Sequence, residues 1–507
     1  MAALAGSPTP WAYMFIRLLF KFVLKIFYGT IVVENVDNIP PRGVPCIVCA
    51  NHSNSLTDAL LLVTSIPSRK RNLLRLTAKS TQFGRKTFTS WLIESAGTVP
   101  IKRRKDFGDQ QVDNSNAMQF LVEAVELGDA VCLFPEGMSR YHPTIAPLKT
   151  GVARMVSDVL SRNRHNPDFE IDVLTCSITY MHREHFRSDV LVTFHPPMKF
   201  TPKVPPTRLT NDRVLTPKTQ NNPELLTPID YNEIRSLTAK MHQQISSGTL
   251  DAPSWRLIRN AKLAARMYAP LGTSMSLGDY IRVVRTFLEA FKLAEAPRAD
   301  ASSDGEAPPP EQVAREDMKI VQLGRDLKEY QDQLARWGIK DDRIRRPLSR
   351  PVILYRVLLR SIAPYKLTYG FLSRLCIWLL ATLCFAPLTA VLVPAVMWLS
   401  LRWMEDAIAA FRALASLTRL LLIGKPALAQ MRSRREDLHR RVMELAVSTL
   451  GLPGEPERYF AESGGREKGR VQGRWASKAK YFSVRRRRKR DWNETLRLYD
   501  QVDYPGD

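Results

Sequence analysis

Short apolar runs alternate with helical patterns along residues 30–200, and this alternation strongly restricts how the 507-residue chain can fold. Apolar, β-branched runs between turn residues are typical of buried strands, and amphipathic segments with a 3.6-residue period are typical of helices. Their alternation predicts an α/β domain with a central, mostly buried β-sheet flanked by helices. The predicted strands are Ile31–Glu34, Cys46–Ala50, Leu73–Thr77, Thr98–Ile101, Val131–Phe134, Val173–Thr179 and Val190–Phe194. The predicted helices are Ser55–Thr64, Lys86–Ser95, Asn114–Leu127 and Lys149–Ser161.

The N-terminal segment has a different pattern. Residues 11–28 are almost wholly apolar except for Arg17, Lys21 and Lys25, which recur every four residues and would form one stripe on a helix. An apolar helix with a basic stripe is typical of a helix that lies in the interface of an anionic membrane. Three charges within the apolar run argue against a signal peptide or a membrane span. Residues 1–29 are therefore predicted to form an interfacial amphipathic helix.

The α/β domain is predicted to cover residues 30–295, with the residues that carry its chemistry in 45–200. A Pro-rich loop at 202–228 and two helical stretches complete this domain. Composition then predicts a disordered linker at 296–312, and apolar residues spaced three and four apart predict an amphipathic helix at 313–345.

An apolar membrane region is predicted at residues 346–425. Residues 375–401 contain no charged side chain, and this uncharged segment is long enough for one membrane span of about 20 residues. Pro387 and Pro394 interrupt this segment, however, and both of its flanks are basic. Because basic flanks favour the cytosolic side, we expect a helical hairpin bent near Pro387, with a single span as the alternative.

The formal net charge of +24 predicts an anionic partner: a membrane surface, a phosphorylated substrate or a nucleic acid. Residues 466–490 alone hold twelve Lys or Arg and one acid, within a segment at 426–507 predicted to be a basic helical or disordered tail. Because this basic tail follows apolar segments, docking of the tail on anionic lipid is favoured over a nucleic-acid signal. A solvated tail without a partner is the other alternative. Six cysteines in a chain of this length indicate a reducing compartment, not a disulfide framework.

Residues suited to acid–base chemistry follow the predicted strand at 46–50. His52 has the side chain most often used as a general base near neutral pH, and Asp58 is close enough in sequence to orient it. Taken alone, the pair is weak evidence, and a helix cap with an incidental histidine is the better explanation.

Three further segments have the residues expected at a phosphate-binding site. Residues 97–103 end in Lys102 and Arg103, which follow a predicted strand. Residues 134–140 follow another predicted strand and contain Glu136 and Gly137. Residues 176–180 form part of a later strand. Strands of such a sheet deliver their loops to one edge, and Arg and Lys are suited to binding phosphate there.

In this order and at these separations, the four segments resemble the glycerolipid acyltransferase superfamily. Its blocks read approximately NHxxxxD, GxxxIxR, FPEGxxS and a hydrophobic strand containing Pro or Tyr. Five residues separate His52 from Asp58, a spacing that also occurs in the superfamily. Residues 134–155 and 180–188 resemble the fungal-type acyltransferases that acylate glycerol-3-phosphate and dihydroxyacetone phosphate at the sn-1 position.

The resemblance implies a role for each matching residue. His52 is implied as the general base and Asp58 as its orienting partner, and Ile178 and Tyr180 are implied to shape the acyl site. No metal and no cofactor are expected, with acyl-CoA as co-substrate. The residues implied to bind the phosphorylated acceptor or CoA are Lys102, Arg103, Glu136, Gly137, Ser139, Arg140, Arg183 and Arg187.

The function implied is acyl-CoA-dependent transfer to the sn-1 hydroxyl of glycerol-3-phosphate, with dihydroxyacetone phosphate as a further acceptor. The product would be lysophosphatidic acid for phospholipid and triacylglycerol synthesis, made at the endoplasmic reticulum membrane by a domain facing the cytosol. Two alternatives stay open: a lysophosphatidate (sn-2) acyltransferase, and a non-catalytic membrane scaffold of this fold. The expected partners are the substrates and membrane phospholipids, and no nucleic acid is expected.

Overall fold

The computed structural model describes residues 6–102, 113–183, 188–202, 228–269, 275–296, 310–345, 349, 351–355, 411, 414–462 and 479–483. The chain divides into two compact units. Unit 1 consists of Met1–Ser254 with Glu467–Arg487, and unit 2 consists of Trp255–Arg466 with Arg488–Asp507.

Unit 1 is an α/β unit, as predicted. Its strands are β1 Thr30–Glu34, β2 Cys46–Ala50, β3 Leu74–Arg75, β4 Thr77–Lys79, β5 Val99–Ile101, β6 Ala130–Leu133, β7 Ile171–Tyr180, β8 Asp189–Phe194, β9 Met198–Phe200 and β10 Ala479–Ser483. Its helices are α1 Trp11–Phe27, α2 Leu56–Ser65, α3 Phe88–Ser95, α4 Ser115–Glu126, α5 Gly151–Arg162 and α6 Pro228–Gly248.

The main sheet has the strand order β10-β1-β8-β7-β2-β6-β3, and β9 also pairs with β7. Its centre is parallel, because β2 pairs in parallel with both β6 and β7. On one side β7 and β8 are antiparallel, and β10 is antiparallel to β1. Strands β4 and β5 form a separate parallel pair.

The sheet is buried on both faces, which explains why its strands read as continuous apolar runs. On β2, Cys46, Val48 and Ala50 belong to the core cluster shared with α1 and α2, whereas Ile47 and Cys49 belong to the cluster shared with α4, α5 and α6. The two cysteines of this strand therefore pack on opposite sides of the sheet.

Helix α1 has two apolar faces. Its inner face packs through Tyr13 and Leu24, and the Tyr13 hydroxyl accepts a hydrogen bond from the Leu74 amide at 3.1 Å. Arg17 donates from its guanidinium to the carbonyl oxygens of Ile66 and Arg71. The predicted stripe of three cations is therefore divided, because Arg17 binds the protein. The outer face exposes Trp11, Met14, Phe15, Leu18 and Phe22.

Unit 2 is helical. Its helices include α7 Trp255–Tyr268, α8 Leu277–Glu295, α9 Pro310–Trp337, α10 Asp341–Arg345, α11 Lys425–Glu444 and α12 Pro456–Glu462. Helix α7 packs against α8, α9 and α11 through buried apolar residues such as Leu257 and Ile258. Within this unit, Asp341 accepts hydrogen bonds from the Tyr330 hydroxyl at 2.7 Å and from Arg435 Nε at 2.8 Å.

The division of the chain differs from the predicted boundaries at two places. Helices α7 and α8 were expected within the domain that ends at residue 295, but their apolar faces are buried by other helices and they belong to unit 2. Residues 479–483 were expected in the basic tail, but they form strand β10 of unit 1.

The predicted membrane hairpin or span at 375–401 lies outside the described residues, as do most of the Pro-rich loop at 202–228 and of the linker at 296–312. In the part of the chain that the structure describes, no helix combines the length and the apolar character needed to cross a membrane.

Candidate active site

The ends of three central strands bring the predicted blocks together. Because β2 is parallel to both β6 and β7, the carboxyl ends of the three strands lie at one edge of the sheet. The loop after β2 contains His52, the loop after β6 contains Glu136, and Tyr180 is the last residue of β7. The first, third and fourth blocks therefore meet at this edge.

His52 and Asp58 form a hydrogen-bonded pair. Nδ1 of His52 lies 2.9 Å from Oδ2 of Asp58, and the Asp58 side chain is fully buried while that of His52 is 19% exposed. The Asp58 carboxylate also accepts from the Asn54 amide at 2.7 Å and from the Tyr180 hydroxyl at 2.5 Å. Because an ionised carboxylate only accepts, His52 Nδ1 is the donor, and Nε2 keeps the lone pair that a general base needs.

A tight turn allows Asp58 to reach back to His52. Ser55 has φ of 50° and ψ of −128°, a conformation that non-glycine residues seldom adopt. Its amide donates to the Ser139 hydroxyl at 2.9 Å, which ties the turn to the third block. Helix α2 begins directly after this turn, so that Asp58 lies in its first turn.

Glu136 holds the His52 loop by its backbone. One carboxylate oxygen accepts from the His52 amide at 2.6 Å and the other from the Ala146 amide at 3.4 Å. The Arg140 amide in turn donates to the His52 carbonyl at 3.0 Å. Burial raises the pKa of Glu136, although the two amide donors oppose this rise.

Gly137 allows Lys149 to pack closely on the same loop. Its φ is +74°, and a Cβ at this position would lie 2.5 Å from Nζ of Lys149. A side chain at residue 137 would therefore be strained and would displace the ammonium group. Lys149 has no role in the predicted site, although it lies within the segment 134–155 that carries the family resemblance.

Two more residues fix the geometry around His52. The Phe134 ring stacks on the imidazole, with ring centroids 4.2 Å apart and an angle of 18° between the planes. The Asn51 side chain accepts from the Ile178 amide at 2.8 Å and donates to the Ile178 carbonyl at 2.9 Å. Ile178 itself is buried in the core. Sequence reasoning assigned no role to Asn51 or Phe134.

Two phenols lie beside the Asp58 carboxylate. Burial raises the pKa of both Tyr180 and Tyr28, and the negative charge of Asp58 raises both further. Both hydroxyls therefore stay protonated near neutral pH. The Tyr28 hydroxyl accepts from the Asn54 side-chain amide at 3.3 Å.

The predicted phosphate-binding cations occupy several positions. The Arg183 guanidinium carbon lies 4.5 Å from the centroid of the Tyr141 ring, and its Nε is 3.5 Å from Asn54 Oδ1. Lys102 is exposed at the end of β5, and its backbone pairs with the Asn114 side chain. Among the residues described, no hydrogen bond or ion pair joins Lys102 to the His52 loop. Arg103 and Arg187 lie outside the described residues, so their roles stay predictions.

Arg140 and Ser139 contribute differently. The Arg140 side chain is exposed, and the backbone contact to His52 already described fixes its position. Ser139 uses its hydroxyl to accept from Ser55. Nowhere in the described ranges do three His, Cys, Asp or Glu side chains come together in a way that could hold a metal ion.

A family model and several known proteins are similar to parts of this chain. The model of a family described as Acyltransferase matches residues 30–179, which include the His52–Asp58 pair, the end of β6 and all of β7 except Tyr180. An uncharacterised acyltransferase of Schizosaccharomyces pombe is 24% identical over 246 residues, covering 48% of this chain and 30% of that protein. Glycerol-3-phosphate O-acyltransferase 2 of Saccharomyces cerevisiae is 19% identical over 433 residues, covering 66% of this chain and 52% of that protein.

Among solved structures, the 1-acyl-sn-glycerophosphate acyltransferase PlsC of Thermotoga maritima matches with a TM-score of 0.28 and 18% identity, covering 46% of this chain and 79% of that one. The chain spans about half or less of the length of the curated relatives named above.

Unit 1 thus contains an acyltransferase domain. The matches support the glycerolipid acyltransferase superfamily, which the resemblance of the four blocks predicted, and the chain is similar to a fungal glycerol-3-phosphate acyltransferase.

Proposed function

We propose that the protein is an acyl-CoA-dependent acyltransferase that esterifies the sn-1 hydroxyl of glycerol-3-phosphate, and also accepts dihydroxyacetone phosphate, to give lysophosphatidic acid or its keto analogue. The observation that carries the proposal is the His52–Asp58 pair, at hydrogen-bonding distance and with a partly exposed imidazole, inside an acyltransferase domain. The similarity to a yeast glycerol-3-phosphate acyltransferase supports the choice of acceptor. This pair also argues against a non-catalytic scaffold.

The proposed reaction is a single acyl transfer. His52 Nε2 takes the proton of the acceptor hydroxyl while the hydroxyl oxygen attacks the thioester carbon of acyl-CoA. The new C–O ester bond forms, the C–S bond breaks, and the proton passes from the imidazole to the CoA thiolate. Asp58 holds the imidazole in the tautomer that this step needs and stabilises the imidazolium that forms.

Cations at the same edge are proposed to bind the acceptor phosphate. Arg183 is held over Tyr141 and beside Asn54, two residues from the start of the His52–Asp58 turn. Arg140 and Lys149 lie on the segment that Glu136 anchors, next to the same turn. A planar guanidinium suits bidentate phosphate binding, and a lysine ammonium adds a point charge. Lys102 and Arg103 stay proposed contributors from the second block.

The outer face of α1 is proposed to dock unit 1 on an anionic bilayer of the endoplasmic reticulum, with the catalytic domain on the cytosolic side. The face exposes aromatic and aliphatic side chains, with Lys21 and Lys25 beside them. Large contiguous apolar surfaces are uncommon on soluble monomers, and each lysine near anionic lipid contributes about 1 kcal/mol.

The test of the reaction uses membranes that carry the full chain, labelled acyl-CoA, and three acceptors: glycerol-3-phosphate, dihydroxyacetone phosphate and lysophosphatidate. We expect turnover with the first two, and a decrease of about 10²–10⁴-fold in His52→Ala. His165→Ala, which changes an exposed histidine in the same unit, is the matched control and keeps the wild-type rate.

Each other outcome overturns part of the proposal. Turnover of lysophosphatidate alone identifies an sn-2 acyltransferase. Product formation that persists in a folded His52→Ala protein removes this residue from catalysis, and no His52-dependent product with any acceptor indicates a scaffold.

Membrane docking is tested separately with vesicles of phosphatidylcholine and phosphatidylserine. Phe15→Glu with Phe22→Glu places two acids on the outer face of α1 and is expected to reduce vesicle binding. Leu127→Glu, an exposed apolar position at the end of α4, is the control with the same chemistry. Equal binding of both variants would exclude α1 as the docking face.

A further inference from the structure

The two oxygens of the Asp58 carboxylate have different partners. Oδ2 accepts from His52 Nδ1 and from the Asn54 amide, both of which belong to the same turn. Oδ1 accepts from the Tyr180 hydroxyl at 2.5 Å, and Tyr180 is 122 residues away in sequence. Among the described residues, Tyr180 is the one that donates a hydrogen bond to Oδ1. The orientation of the carboxylate therefore depends on a residue of β7.

We infer that Tyr180 is a positioning residue for the reaction: its hydroxyl holds the Asp58 carboxylate so that Oδ2 faces His52, and it takes up part of the carboxylate charge. This inference rests on the proposed function and replaces the acyl-site role that the family resemblance implies for Tyr180. The phenol acts through Asp58 and His52, so it needs no contact with either substrate.

The backbone holds Tyr180 firmly in place. It is the last residue of β7, where it pairs with Val190 of β8. Two residues earlier, the Ile178 amide and carbonyl are both bonded by the Asn51 side chain, beyond the point where the ladder between β2 and β7 ends at Ala50 and Cys176. The phenol is therefore attached to a strand that is fixed on both sides, whereas Asp58 lies in the first turn of helix α2.

A hydrogen bond to a carboxylate changes how strongly that carboxylate stabilises a neighbouring imidazolium. When Tyr180 donates to Oδ1, less negative charge is available to stabilise the protonated form of His52. Without the phenol, the full charge of the carboxylate faces the imidazole and stabilises its protonated form more strongly. A merely structural residue would not alter this balance.

Other titratable or charged groups also face the pair, and they stay the same in the variants below. The Coulomb interactions of the described residues place them on the elements that surround Asp58 and His52. They are Tyr28 at the end of α1, Cys132 on β6 and Glu136 after β6. Arg183 after β7 acts on Tyr28 and contacts Asn54.

The first experiment compares Tyr180→Phe with the wild type in the acyltransferase assay. We expect kcat to fall roughly tenfold, because a hydrogen bond to a charged group is lost, with little change in KM for acyl-CoA or acceptor. The acid limb of the kcat/KM profile is expected to move to higher pH. Tyr13→Phe is the matched control, since it also removes a buried phenol, whose oxygen accepts from the Leu74 amide, and it should leave the pH profile unchanged.

A second variant tests the same inference without removing the hydroxyl. Replacing Tyr180 by a fluorinated tyrosine makes the phenol a stronger donor, so the acid limb should move in the opposite direction, to lower pH. This variant keeps the ring and the hydrogen bond, and it answers the question even if Tyr180→Phe does not fold.

The Asp58→Asn background shows whether the two residues act as a unit. There, Tyr180→Phe should cause little further loss, because its effect passes through the carboxylate. A wild-type kcat and pH profile in Tyr180→Phe, or a selective rise in KM for acyl-CoA, would overturn the inference and restore the acyl-site role. Failure of the proposed function is distinguishable, since it shows as turnover that does not depend on His52.

Discussion

Glu136 offers a direct choice between two roles for a residue of the third block. The family resemblance predicts that it binds the acceptor, whereas in the structure both carboxylate oxygens accept backbone amides, from His52 and from Ala146. The substitution Glu136→Gln keeps the shape of the side chain but removes its charge. It also turns one acceptor into a donor that faces an amide.

The size of the effect follows from the two contacts. The glutamine carbonyl is expected to keep the short contact to the His52 amide, since the contact to Ala146 is long and weak. A hydrogen bond to a charged group contributes about 1.5–3 kcal/mol and a neutral one about 0.5–1.5 kcal/mol, so the loss is about 1–2 kcal/mol. If this free energy is lost from the stabilisation of the transition state, kcat decreases roughly 5- to 30-fold.

Steady-state kinetics with varied acceptor concentration separates the two roles. If Glu136 positions the His52 loop, kcat falls and the acceptor KM stays close to wild type. Glu94→Gln is a control, because this exposed carboxylate also accepts a backbone amide, that of Gly84 at 2.7 Å, away from the His52 loop. An unchanged kcat with a raised acceptor KM would refute the positioning role.

The same variant should also change how the free energy of unfolding depends on pH. Burial raises the pKa of Glu136 in the folded protein, so the folded state binds this proton more tightly than the unfolded state does. Stability from this group is therefore present below the unfolded value of about 4.3 and decreases as pH rises through the raised folded pKa. Glu136→Gln should remove that part of the pH dependence, and an unaltered slope would contradict the assignment.

Three further predictions concern other parts of unit 1. Asn51→Ala leaves two buried backbone groups of Ile178 without their partner, so amide exchange there should rise by roughly tenfold or more, and unchanged exchange would contradict the assigned role. Gly137→Ala should displace Lys149 and reduce turnover, with little further loss in the Lys149→Ala background; fully additive losses would exclude this coupling. Deleting residues 479–483 should raise amide exchange in β1 roughly tenfold but leave β2 protected, and a protected β1 would argue against the pairing.

Much of unit 1 could be predicted because its signals are local. Strand β2 has the predicted bounds, since a run of five apolar residues between turn residues is typical of a strand buried on both faces of a sheet. His52 and Asp58 are six residues apart, and the pair depends on a single turn. The parallel order of β2, β6 and β7 was enough to bring the first, third and fourth blocks to one edge.

Other features depend on contacts that no local pattern shows. The bond between Asn51 and Ile178 joins residues 127 positions apart, and the approach of Lys149 to Gly137 requires the positive φ of the glycine. The sequence pattern places Arg17 in a surface stripe of cations, yet its guanidinium donates to the carbonyl oxygens of Ile66 and Arg71, which come close to it only in the folded protein. Strand β10 has only five residues and lies in a segment rich in Lys and Arg. Its partner β1 is more than 400 residues away in sequence, so no local pattern indicates the pairing.

The position of β10 at the outer end of the main sheet has a consequence for how the protein is made. Every residue of the predicted catalytic pair and its support leaves the ribosome with Met1–Ser254, but the last strand follows roughly 225 residues later. At about 5–20 residues per second, this delay is about 11 to 45 seconds. During that time β1 is an open edge, able to pair with another chain, and must be shielded until the helices of unit 2 have been synthesised. Completion of the catalytic sheet therefore has to wait until the helices of unit 2 have been synthesised.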